Sequence, residues 1–291
     1  MVRMFNVTLA LMIGLVVAPA ASASGGGAAA VRKQAVASMV VTGEIRVDER
    51  GHVTAHQIDQ VEKVPAGVVG LFGRAVPQWR FEPVVVDGVA RPARSKMRVR
   101  VVARKLDHGD YSIEFQDADF PGNGYAPGTY PSSKKMTQPR YPMGALSSGA
   151  SAAVFVVVKV GPDGQPEDAV AEQVNLPFVA PEKVMERYRK VFGDSAVRAA
   201  MASQFNPPTA GEEVGKSTSV RVPYVFQVEG GKPVDVPYGQ WASYVPGPYH
   251  PAPWRVGALG GSPDLMATGA GAQPLVGRDG LRLLTALGDG G

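Results

Sequence analysis

Cysteine is missing from all 291 residues, which removes disulfides, thiolate nucleophiles and cysteine-held metals together. The absence assigns no compartment, because an exported protein with an adequate core needs no disulfide staple. Charge is also scarce: Asp, Glu, Lys and Arg make up 19% of the chain, and the net excess of +4 is small and scattered. No concentrated basic stripe forms, so a nucleic-acid partner is not expected. The four histidines, His52, His56, His108 and His250, are dispersed. His52 and His56 are four apart, but in a segment that reads as turn and strand, where that spacing does not converge as it does on a helix. No metal site is expected there. The chain lacks a G-x-S-x-G elbow, a Walker lysine loop and a Rossmann fingerprint. Glu212-Glu213 and Asp117-x-Asp119 read as solvated loop charges. No enzyme, no cofactor and no small-molecule substrate is expected.

The N-terminus carries a targeting pattern. Arg3 precedes an apolar run from Phe5 to Ala18, and Ala21-Ser22-Ala23 follows. A basic start, a short apolar core and an A-x-A site are the features of a secretory signal peptide. The run is shorter than the roughly 20 residues that a spanning helix prefers. A signal peptide over 1–23 and export to the periplasm are expected; the alternative is an uncleaved leader that anchors the chain in the inner membrane.

Glycine (35) and proline (25) are abundant, so much of the chain should be turn or linker. Ser24 to Ala30 reads as a Gly/Ala spacer. A first unit is expected over 39–106. Met39 to Val47 reads as a strand, Asp48 to Gly51 as a turn and Val53 to Ile58 as the returning strand. Pro65 suits the first turn of a helix, where its missing N–H costs nothing. Behind it, Val68, Val69, Phe72, Ala75, Val76 and Trp79 form one apolar stripe. Phe81 to Val86 and Lys96 to Val102 read as strands around an Asp87-Gly88 turn. Asp107 to Ser133 reads as a linker.

A second unit is expected over 134–229. Ala152 to Val160 is a β-branched strand, Gly161 to Gly164 a turn, and Ala169 to Val174 a returning strand. Pro181 to Phe192 reads as a helix broken at Gly193, with Asp194 capping a new one that contains Ala196, Val197, Ala200 and Met201. Thr218 to Val228 closes the unit. The segment 230–291 reads as an extended or disordered Gly/Pro/Ala-rich tail. Within it, Pro246 to Pro253 reads as a linker or a polyproline ligand, and Leu281 to Leu287 as a short helical piece.

The two units repeat one order of elements: strand, turn ending in Gly51 or Gly164, strand, helix, an aromatic corner with proline just after it, then strand. The corners are Trp79-Arg80-Phe81-Glu82-Pro83 and Phe205-Asn206-Pro207-Pro208. This order implies an α+β fold of two small domains, each with helix packed on one face of a short antiparallel sheet.

At these residues the chain resembles the TonB C-terminal domain family, in two tandem copies. The second unit carries Gln138-Pro139-Arg140-Tyr141-Pro142, Ala145, the Val154 to Val160 strand, Asp163-Gly164, the helix Ser195 to Ser203, Phe205 to Pro208 and the strand Val220 to Val228. The first unit resembles it through Gly43-Glu44-Ile45-Arg46-Val47, Gly51-His52-Val53, Ala75 to Pro83 and Asp87-Gly88. The resemblance implies a binding or adaptor protein that engages the TonB box of outer-membrane receptors and is linked to TonB-dependent transport. The receptor peptide would pair with an exposed sheet edge, so that main-chain hydrogen bonds supply the affinity.

The matching positions are Gln138, Pro139, Tyr141 and Pro142, with the edge-like strand Ser219, Val220, Arg221, Val222, Tyr224, Val225 and Phe226. Tyr141-Pro142 alternatively just fixes how the chain approaches the domain. No histidine precedes His52, and only Ser24 to Ser38 separates leader from first unit, a span of about 50 Å when fully extended. Binding at the level of the domain is therefore expected in place of full energy transduction. The alternative is an envelope-associated scaffold that self-associates or binds another envelope component.

Overall fold

The computed structural model describes residues 27–105, 111–122, 128–231, 234, 236–255, 262–265, 272–275 and 280–287. The expected signal peptide lies outside them. Among the described residues no helix is long and apolar enough to cross a membrane.

The protein is a mixed α/β chain with antiparallel sheets and few helices, as the α+β reading requires. After a short helix α1 (Ala28–Arg32) come β1 (Val36–Val47), β2 (Val53–Ile58), the helix α2 (Ala66–Ala75), a separate small hairpin of β3 (Val84–Val86) and β4 (Val89–Arg91), β5 (Ala93–Lys105) and β6 (Tyr111–Gly122). Then follow β7 (Ser132–Lys135), α3 (Met143–Ser147), β8 (Ala152–Val160), β9 (Pro166–Asn175), α4 (Glu182–Met201), β10 (Gln204–Asn206), β11 (Thr218–Phe226), β12 (Ala242–Tyr244) and β13 (Gln273–Pro274).

The first sheet runs β2-β1-β5-β6, and the second runs β9-β8-β11-β13. The first three strands of each, β2-β1-β5 and β9-β8-β11, arise from the same order of elements. The turn glycines show why. Gly51 (φ +78°) and Gly164 (φ +80°) occupy the left-handed region that glycine enters at no steric cost. Each exposes its backbone to the aromatic corner of its own unit: the Phe81 N–H donates to the Gly51 carbonyl at 2.9 Å, and the Phe205 N–H to the Gly164 carbonyl at 3.0 Å. A Cβ at either glycine would sit inside the van der Waals distance of that aromatic's carbonyl oxygen. The hairpin turn and the helix exit are thus locked together twice.

The apolar stripe of α2 packs as its spacing predicts. Val68, Phe72 and Val76 are fully buried, with Leu71 beside them. Trp79, 2% exposed, stands edge-on to Phe115 (5.5 Å) and Phe120 (5.6 Å) and donates its Nε1–H to the Leu287 carbonyl at 3.2 Å. Trp79→Ala should destabilise the first unit by roughly 3–5 kcal/mol, the range for removing a large buried aromatic. A shift near zero in the denaturation midpoint would remove Trp79 from the core.

Several sequence expectations change. Residues 107–133 are not a linker throughout, because β6 pairs with β5 over most of its length. Phe115 and Phe120 both enter the core although they are five apart, which strict alternation forbids. The pairing slips by one between Arg100 and Val101, so that Gln116 is the extra residue of a bulge and the parity resets. Gly193 does not break the helix; α4 is continuous. A Cβ there would touch Ala171 Cβ at 3.3 Å, so the glycine lets the helix lie close to β9. Asp194 caps nothing; it pairs with Lys190 one turn earlier, at 2.8 Å.

The tail differs most. β12 pairs with the start of β1, and β13 with β11. Val245 pairs with Leu176, and the His250 N–H donates to the Glu172 carbonyl at 2.8 Å, so this stretch runs along β9. Leu281 is buried in the first core and Leu283 bridges Phe81, so the segment is an irregular strand and not a helix. Just after the Gly/Ala stretch, Val31 of α1 is fully buried in the core of the second sheet.

Candidate functional site

The expected docking strand is β11, and its two faces and two edges have different surroundings. Val220, Val222, Tyr224 and Phe226 project into the core beneath α4. They are buried and present no side chain to a partner. Alternation sends Arg221 to the opposite face, where its guanidinium grips Glu172 with Nε–Oε2 at 2.6 Å and Nη2–Oε1 at 3.1 Å. Glu172 is fully buried and also accepts from the Tyr249 hydroxyl at 3.0 Å. Arg221 is therefore a structural ion-pair partner and not a contact for a receptor peptide. Burial and the adjacent Glu172 charge raise the Tyr249 pKa, which keeps the phenol a donor.

One edge of β11 is fully paired with β8. Among the described residues the other is reached only by β13, at Val220 and Arg221. The Leu275 N–H donates to the Ser219 carbonyl at 2.9 Å, which settles the orientation. In an antiparallel strand, successive residues turn their N–H and C=O groups to alternate sides. With Ser219 facing outward, Arg221, Pro223 and Val225 face outward too, and Val222 and Tyr224 face β8. Pro223 thus sits where its missing donor breaks no ladder bond, the position proline takes on an edge strand. Among the described residues, no strand pairs with Pro223 or Val225 on this side. Val225 is 36% exposed.

The second expected segment meets β11 at one end only. The Tyr141 ring stands edge-on to Phe226 (5.6 Å) and Phe192 (5.8 Å), and its hydroxyl donates to the Ala150 carbonyl at 2.5 Å. Partial burial raises its pKa. These contacts favour the role of fixing the chain's approach to the sheet. Pro139 and Pro142 are half-buried and Gln138 is exposed; neighbouring Thr137 and Arg140 are tied to α4 through the Ala202 carbonyl and the Ser195 hydroxyl.

Elsewhere, Asp48 accepts from the N–H groups of Arg50 (2.9 Å) and His52 (2.8 Å), which lowers its pKa and closes the β1–β2 turn. Burial lowers the His56 pKa. Asp119 is not a solvated loop charge: it lies on β6, 7% exposed, and pairs with Arg98 at 2.8 Å. Among the described residues, no group of three His, Cys, Asp or Glu side chains is placed to hold a metal.

No family model matches the chain, and no curated protein or solved structure matches it either.

Proposed function

We propose that this chain is an exported TonB-like binding or adaptor protein of two tandem units, whose second unit takes up an extended segment of an outer-membrane receptor as an added strand on the outer edge of β11. The reading rests on one contrast between the sheets. The outer edge of β5 is filled by β6, twelve residues long. On the corresponding edge of β11, the two residues of β13 are the only strand partner among the described residues. An edge left with outward N–H and C=O groups is a template for a further strand. The backbone of Val225, with the Pro223 carbonyl, would hold the peptide, and Ser219 to Arg221 are already paired by the tail.

Val225→Pro is the sharpest test. It removes an outward donor without touching the β8 ladder, whereas Val222→Pro would break the sheet itself. Titrating the 15N-labelled chain with synthetic TonB-box peptides should give saturable amide shifts over Val222 to Phe226. Val225→Pro should weaken binding by about tenfold or more, because one donor is lost and the pyrrolidine ring obstructs the edge, while Val225→Ala should bind normally. Absence of shifts in a folded wild-type chain would defeat the reading. A concentration-dependent dimer that peptide does not dissolve would move this edge to the scaffold role.

A further inference from the structure

A cavity of about 290 Å³ lies between the two sheets, at the small end of the size range of ligand sites. One wall comes from β1 (Met39, Val40), another from β8 (Phe155), and the tail closes it with Val236 and Tyr238. This lining is apolar. Polar side chains line it too, among them Ser38, Thr42, Gln240, Tyr244, Asn175 and Asp264.

Charge there is compensated. The Asp264 carboxylate accepts from the Asn175 amide at 2.6 Å and pairs with Arg100 at 3.4 Å, both ionic side chains being almost fully buried. A charged ligand would lose its hydration and find no free counter-charge. Tyr244 supplies the specific contact. Its oxygen accepts from Arg100 Nη2 at 2.7 Å and from the Ser38 hydroxyl at 3.2 Å, which uses both lone pairs and leaves the O–H to donate. Among the described residues, no acceptor takes that proton. Burial and the nearby Asp264 charge raise the phenol's pKa, so it remains protonated.

We propose that this cavity binds a small, uncharged, mainly apolar molecule bearing a carbonyl or similar acceptor, which receives the Tyr244 O–H. The site is bounded by β1, β8 and the tail, so it stands or falls independently of the β11 edge.

Four probes, each built on one benzene ring, test it on the intact chain: acetophenone, toluene, benzoate and benzylammonium. Affinities are read by saturation-transfer NMR titration. Acetophenone should bind saturably, about fivefold tighter than toluene, the worth of one net hydrogen bond. Benzoate and benzylammonium should not bind. Tyr244→Phe should bring acetophenone down to the level of toluene and leave toluene unchanged. Ala153→Phe, which fills the cavity from β8, should abolish both. If that variant fails to fold, the Tyr244→Phe comparison decides alone. Failure of acetophenone to saturate, a preference for benzoate, or an unaltered acetophenone-to-toluene ratio in Tyr244→Phe would each overturn the proposal.

Discussion

Glu172→Ala should cost the fold roughly 3–5 kcal/mol, the penalty for breaking a buried ion pair and leaving its partner charged. Glu172 is fully buried, and Arg221 is 4% exposed. Without the carboxylate, the Arg221 guanidinium loses its bidentate acceptor, the Tyr249 hydroxyl loses an acceptor, and Arg255, 3.9 Å away, loses a counter-charge. The comparison that isolates the cause is the double variant Glu172→Met/Arg221→Met. Replacing both charges with apolar groups of similar volume removes the uncompensated Arg221, while Arg255 stays, and should recover part of the loss. Urea denaturation followed by circular dichroism reads both. Equal instability of the single and double variants would mean that packing, not charge, governs this site. The network also explains how the tail is held, since Tyr249 and Arg255 belong to it and Trp254 donates to the Ser219 hydroxyl at 3.1 Å.

Gly51→Ala and Gly164→Ala should each destabilise the chain by roughly 3 kcal/mol. About 1–2 kcal/mol is the cost of placing a Cβ in the left-handed region. The remainder comes from pushing away the carbonyl of Phe81 or Phe205 and losing the hydrogen bond beside it. Gly88 provides the control. It has φ +76° at the tip of the β3–β4 hairpin, but nothing lies within 4 Å of a Cβ built there. Gly88→Ala should therefore pay only the conformational term, about 1–2 kcal/mol at most. If all three variants lost the same stability, the close approach at Gly51 and Gly164 would count for nothing.

Legibility in the sequence tracked how local the determining interactions are. β2 and β8 have the boundaries expected from alternation and β-branched residues, because each is flanked by its own turn. The stripe on α2 was readable because 3.6-residue spacing is a property of one segment. Gly193 misled because its helix cost is a local fact, while its benefit, room for Ala171, comes from a strand some twenty residues away. β6 was hidden by its bulge, which exchanges the parity of its apolar positions midway. Arg221 looked like part of a docking strand because nothing near it in sequence announces Glu172, 49 positions earlier.

The sequence alone determined the strands, turns and aromatic corners that recur in the two units, since turn glycines, aromatic corners and apolar periods are written within short windows. Tertiary structure decided what lies beside each element. Whether a strand edge is open depends on residues that are far away in the chain and carry weak local patterns. β6 on β5, β13 on β11 and Tyr244 above the cavity all come from segments that read as linker or tail. A backbone edge offers the same N–H and C=O groups whatever its side chains, so the sequence carries little record of what covers it.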